Sequence, residues 1–153
     1  MKEDENWMKK ALKLAQEAYR RGEVPVGAVI ILDGEVIGQG SNRVEELQDA
    51  TAHAELEAIR MATKKIKNWR LLGATLYTTL EPCAMCMGGI FLSRLKRIVW
   101  GAPDLRHGSC GSWVNLLEKD HPMHTLEFEK GVLADESATL MKQFFKERRN
   151  GSL

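Results

Sequence analysis

The chain is 153 residues long and carries 22 lysines and arginines against 21 aspartates and glutamates, a formal charge of +1. That length fits one domain, residues 1–153, able to bury about 70% of its unfolded surface. The charge gives no global case for nucleic-acid binding, so any such surface must come from local clusters. Three cysteines do not make a disulfide framework, and no apolar run approaches the ~20 residues of a membrane span. The acidic start, Met1 to Asn6, lacks the apolar core of a signal peptide, so a reducing, cytoplasmic setting is expected.

In chain order, residues from about Asp4 to Arg21 are predicted to form a helix, because Met8, Ala11, Leu12, Ala15, Ala18 and Tyr19 recur at spacings of three and four. Gly22 is a fitting stop. Val26 to Leu32 is an apolar, β-branched run suited to a buried strand, and Asp33-Gly34 is a two-residue hairpin signal that returns the chain as Glu35 to Gly40. Asn42 follows that strand, where α/β sheets collect ligands, although by residue type alone it reads as a turn. Ala52 to about Lys67 is a second helix, with Thr51 as its expected N-cap. It ends in the basic stretch Lys64 to Arg70.

Gly73 to Leu80 is the third strand and Cys83 to about Leu92 the third helix, with Pro82 suited to its first position. A basic turn, Ser93 to Arg97, leads to a short strand at Ile98 to Gly101. Pro103 to Trp113 mixes glycine, polar and aromatic residues, as a pocket wall does; Asp104 and His107 are candidate substrate contacts there. Thr125 to Glu129 reads as the last strand. Ala134 to Arg149 reads as a terminal helix, with Ala138, Met141 and Phe145 on its apolar stripe, widened by Leu140 and Phe144. The tail from Asn150 is expected to fray. The alternation of strands and helices indicates an α/β fold.

Two short motifs carry the chemistry. His53-Ala54-Glu55 opens one helix, and Pro82-Cys83-Ala84-Met85-Cys86 opens another where a strand ends. Cys83 and Cys86 are three apart and share a face of one turn. Helix N-termini favour thiolate, the metal-binding form. Two thiolates and one neutral imidazole are three ligands, and three protein ligands with a position left for water are the catalytic rather than the structural zinc pattern. His53, Cys83 and Cys86 are thus the expected zinc ligands, one ion per subunit. Glu55 is left as a carboxylate beside the metal, suited to shuttling protons. A structural site would need a fourth ligand, for which Cys110, His107, His121 and His124 are the candidates.

Those motifs resemble the signature of the zinc-dependent nucleoside and nucleobase deaminases, and within that superfamily the chain is similar to the bacterial tRNA adenosine deaminases. Glu23-Val24-Pro25-Val26-Gly27-Ala28-Val29, Thr79 to Cys86 and Gly131 to Glu136 carry the likeness, which covers nearly the whole chain. The resemblance implies a three-layer α/β/α sandwich with a five-stranded mixed sheet, of the cytidine deaminase type, forming one deaminase domain. It implies hydrolysis of adenosine to inosine at the wobble position of tRNA, chiefly arginine tRNA. It also implies a homodimer, an anticodon stem-loop held in part by the terminal helix, and an asparagine at position 42 bonded to purine and ribose. Backbone N–H groups near Ala54 and Cys83 are expected to stabilise developing charge. Cys110 departs from the small apolar residue of the family and reads as an inert thiol. The metal motif alone leaves open a deaminase of free guanine, cytosine or a nucleoside. A catalytically silent RNA-binding module is disfavoured by Glu55, which a mere binder does not need.

Overall fold

A computed structural model describes residues 2–151, and its elements follow the apolar periodicities of the sequence. In chain order they are α1 (Lys2–Arg20), β1 (Gly27–Leu32), β2 (Glu35–Ser41), a single turn α2 (Val44–Leu47), α3 (Ala54–Ile66), β3 (Thr75–Leu80), α4 (Ala84–Leu92), β4 (Arg97–Ala102), β5 (Glu127–Lys130) and α5 (Ala134–Arg149). The far end of the tail expected to fray, Ser152 and Leu153, lies outside the described residues.

The five strands make one mixed sheet in the order β2-β1-β3-β4-β5. β1 runs antiparallel to β2 and β3, whereas β4 runs parallel to β3 and β5. The expected hairpin is present: Asp33 and Gly34 take φ of 50° and 77°, the pair of left-handed residues that a two-residue type I′ turn demands. Along β1 the side chains alternate between two cores. Ala28 and Ile30 join Leu76 and Ile98 beneath Ala58 and Ala62 of α3 and Met87, Ile90 and Phe91 of α4. Val29 and Ile31 join Tyr77 and Val99 beneath Met8, Ala11 and Leu12 of α1. α5 lies on the α1 side, where Phe144 meets Tyr19 edge to face at 5.6 Å between ring centroids. The result is the three-layer α/β/α sandwich that the resemblance implied. Each large apolar side chain buried this way contributes about 1.5–3 kcal/mol.

The helix carrying His53 and Glu55 is pressed onto β2 through two glycines. A Cβ at Gly40 would stand 2.5 Å from the Ala54 carbonyl oxygen, and one at Gly38 would collide with that of Ala58. Only glycine lets the backbones approach this closely, and the contact sets the start of α3 beside the end of β2. A different device anchors α1. Asp4, buried in its first turn, accepts two bonds from the Arg97 guanidinium, at 2.9 and 2.8 Å, and one from the Tyr77 hydroxyl at 2.8 Å.

Three local expectations are corrected. Thr51 does not cap α3; its hydroxyl donates to Asp49 at 2.7 Å, and His53 occupies the cap. Pro82 lies one residue before the cap of α4, which is Cys83, not at the first helical position. On α5 the fully buried residues are Ser137 and Phe144, while Phe145 is only half-buried. A serine holds the centre of that stripe because its hydroxyl donates to the Thr79 carbonyl and accepts from the Ala102 amide, bonding α5 to β3 and β4.

Candidate active site

The site forms where α3 and α4 both begin, at the C-terminal end of β3. His53 and Cys83 are the N-caps of these helices. Both have extended backbones (φ −83°, ψ 150° and φ −77°, ψ 173°), and neither side chain bonds its own helix. Each is therefore free to point past its helix end. Cys86, one turn into α4, is fully buried.

Nδ1 of His53 lies 3.5 Å from Sγ of Cys83 and 3.5 Å from Sγ of Cys86, and all three donor atoms lie within 4.8 Å of one another. Tetrahedral zinc bonds of about 2.3 Å to sulfur and about 2.0–2.1 Å to nitrogen place S and N about 3.5–3.6 Å apart. The three side chains thus already stand at the edge lengths a zinc ion needs. None of Cys110, His107, His121 and His124 belongs to the cluster among the described residues. His121 instead stacks on Phe91 at 4.5 Å, and His124 bonds the Leu95 carbonyl. The donor set is three, which fits a catalytic ion and not a closed structural one.

Charge in the cluster is unevenly shared. The neighbouring Cys86 thiol and the His53 imidazole favour the Cys83 thiolate, pulling that thiol down to about 4. The Cys86 thiol is driven up by that neighbour and by burial. The contact with Cys83 raises the His53 imidazole against the opposing effect of burial. The arrangement is that of one thiolate beside one imidazolium, and a divalent cation replaces the protons that hold it together. Glu55, only 4% exposed, stands in the first turn of α3, and burial pushes its carboxyl up to about 7.

Asn42 follows β2 on the other side of the α3 start. Its amide donates to the Val26 carbonyl at 3.1 Å, and its own carbonyl accepts from Arg21 at 3.3 Å. Its side-chain oxygen is buried without a partner, an arrangement that native proteins rarely leave except where a ligand completes it. Ala54 is fully buried as the first residue of α3, where backbone N–H groups have no intrahelical acceptor.

Two buried glutamates escaped the sequence reading. Glu23, 1% exposed, accepts the Glu45 and Glu46 amides at 3.0 and 2.7 Å and so builds α2, which follows Asn42. Glu81, 3% exposed, accepts from the amides of Asp104, Cys110 and Ser112. A charged residue directly after an apolar strand was the available signal for the second. Asp104 accepts the Arg106 and His107 amides, so its carboxylate shapes its own turn, and His107 is exposed. Cys110 is half-buried, and burial lifts its thiol to about 12, in keeping with an inert residue.

The basic segments divide. Lys64 to Arg70 and Arg94 to Lys96 follow the C-terminal ends of α3 and α4, whereas the cluster sits at the N-termini. Along α3 that is about 20 Å away at 1.5 Å per residue. Beside the Asn42 loop stand Arg21, Arg43, which pairs with Glu46 at 2.6 Å, and Arg148 of α5, 4.0 Å from Glu45.

Fold and cluster together describe a hydrolase of the deaminase type. Residues 2–149 match the MafB19-like deaminase family, and the chain belongs to that family. It is 45% identical to the tRNA-specific adenosine deaminase of Bacillus subtilis over 149 residues, which is 97% of this chain and 92% of that one. Among solved structures it is similar to one from a study of A-to-I editing by tRNA:A34 deaminases at the wobble position, at 43% identity and a TM-score of 0.84, covering 88% of this chain and 98% of the other. It is also similar to guanine deaminase from Bacillus subtilis, at 33% identity and a TM-score of 0.64, covering 95% and 93%. Among the described residues no helix is long and apolar enough to cross a membrane.

Proposed function

We propose that this chain hydrolyses adenosine to inosine at the wobble position of a tRNA anticodon, arginine tRNA above all. The observation that carries the reading is a three-donor cluster beside a buried carboxyl, in a chain 45% identical to a tRNA-specific adenosine deaminase over nearly all its length. His53, Cys83 and Cys86 hold one zinc ion per subunit, and the donor spacing described above supports the assignment. When bound, zinc lowers the pKa of water from 15.7 toward about 7.

Glu55 takes the proton of the water that attacks C6 of the adenine. It then delivers protons to the ring nitrogen and to the departing amine, so that adenosine and water become inosine and ammonia. The unpartnered oxygen of Asn42 accepts a hydrogen bond from the bound nucleoside. First-turn N–H groups at Ala54 and Cys83 stabilise the negative charge that develops during attack. A base must leave its stack to reach the cluster, and an anticodon loop presents one at little cost. Arg21, Arg43 and the basic end of α5 position its phosphates, setting affinity and salt dependence more than base identity.

The enzyme acts as a homodimer in the cytoplasm, and residues 1–153 form one deaminase domain. The test is inosine formation in a panel of anticodon stem-loops, with free guanine and cytidine in parallel. Inosine at a wobble adenosine is the expected product. Ammonia release from guanine or cytidine alone would move the chain to the free-base deaminases.

A further inference from the structure

We infer that Glu81 is a positioning residue, a buried latch that sets the loop over the substrate against the metal-bearing helix. It is the first residue after β3 and lies two before Cys83, the cap of α4. Its carboxylate is matched by N–H and O–H donors of a single loop. Oε1 accepts the Asp104 amide at 3.1 Å and the Ser112 hydroxyl. Oε2 accepts the Cys110 amide at 2.9 Å and the Ser112 amide at 3.2 Å. Among the described residues no lysine or arginine is paired with it.

The loop closes around this group. Gly108 lies so near the Glu81 carboxyl that a Cβ there would overlap it, and it forms a backbone bridge with Cys83. Both the amide and the hydroxyl of Ser109 donate to the Pro82 carbonyl, at 2.9 and 3.0 Å. The Glu81 amide itself donates to the Ala102 carbonyl at 2.9 Å, which fixes the carboxylate to the sheet. Residues 104–112 therefore have their position defined by one side chain rooted beside a metal ligand. Charge-assisted bonds of this kind are the strong ones, and a buried carboxylate without its donors is costly, so latch and loop hold each other. The chemistry does not need Glu81 to touch substrate. It needs the loop at a fixed height above the base, and small misplacements are expensive in rate.

This inference rests on the stem-loop reading of the site, and its test separates the two. Glu81→Gln keeps the shape but turns one acceptor into a donor that faces N–H groups. In the zinc-loaded enzyme we expect amide hydrogen exchange at Asp104, Cys110 and Ser112 to quicken by about tenfold or more while β1 and β3 stay protected. KM for an anticodon stem-loop should rise about tenfold, with kcat within about threefold and zinc content unchanged. Ser112→Ala, which removes one donor, should raise KM about threefold and decides the matter if Glu81→Gln does not fold. Faster exchange with an unchanged KM would make Glu81 merely structural and overturn the inference. So would a loss of zinc and kcat at constant KM, which would place its effect in the metal-bearing helix. A wild type inactive on every stem-loop refutes the substrate reading instead, and unchanged amide exchange in the variants would still sink the latch.

Discussion

Glu55 and Glu81 stand on either side of the same cluster, both sealed from solvent, and differ in their donors. Glu81 accepts three backbone amides and a hydroxyl. Glu55 has near it its own backbone N–H and the Cys86 thiol, too little to offset burial, and its carboxyl rises to about 7. A buried carboxylate saturated with donors is a fixed part of the scaffold, whereas one left short of donors can exchange a proton without rebuilding its surroundings. The same residue type becomes latch or shuttle according to how many N–H groups the backbone aims at it.

That contrast can be broken at the metal first. His53→Ala should remove zinc binding and all activity, because two thiols alone do not complete the donor set. Metal analysis of the purified variant checks it, and one zinc per chain would discard the ligand assignment. Next comes Asn42, whose unpartnered oxygen contrasts with the satisfied oxygens of Glu81. Asn42→Ala should lower kcat/KM on a stem-loop by about ten- to a hundredfold and leave thermal stability unchanged or higher, since no folding bond of that oxygen is lost. A lower melting temperature with full activity would reverse the assignment.

The smallest effect is expected far from the chemistry. Asp4 is a third buried carboxylate, saturated like Glu81 but by a guanidinium and a phenol. Asp4→Ala should cost about 2 kcal/mol, or about 4–8 °C in melting temperature, with kcat unchanged. The Arg97 guanidinium, foremost among its partners, holds the Asp4 carboxyl below its ordinary value. The unfolded chain therefore takes up the proton first as pH falls. The stabilisation is complete above about 3.9 and is lost as pH drops through the lowered folded value. Acid titration of the melting temperature should bring variant and wild type together below about pH 4, and a gap that widens there would contradict the sign.

What the sequence revealed and what it hid divide along range. The metal ligands were legible because His53 and the Cys83/Cys86 pair lie in short motifs at helix starts. The Asp33-Gly34 hairpin was legible because a two-residue turn has few sequences that fit it. The hidden features all depend on partners distant in the chain. α2 exists because Glu23, some twenty residues upstream, caps it. Ser137 holds a core position through bonds to β3 and β4. Asp4 looked like an ordinary acidic first turn, and its bolt to Arg97 spans most of the chain. Thr51 was misread because Asp49, two residues away, offered its hydroxyl a nearer acceptor. The basic segments were visible as charge, but only the helix directions put Lys64 to Arg70 at the end away from the cluster.

The most direct measurement is inosine formation by zinc-loaded Glu55→Gln under single-turnover conditions, with metal content determined on the same sample. Glutamine fills the same space but cannot take up or return the proton. The account predicts one zinc per chain and a rate lower by about 10²–10⁴. A metallated variant within tenfold of the wild-type rate would contradict it, because the donor-poor carboxyl would then not be the group that moves the proton.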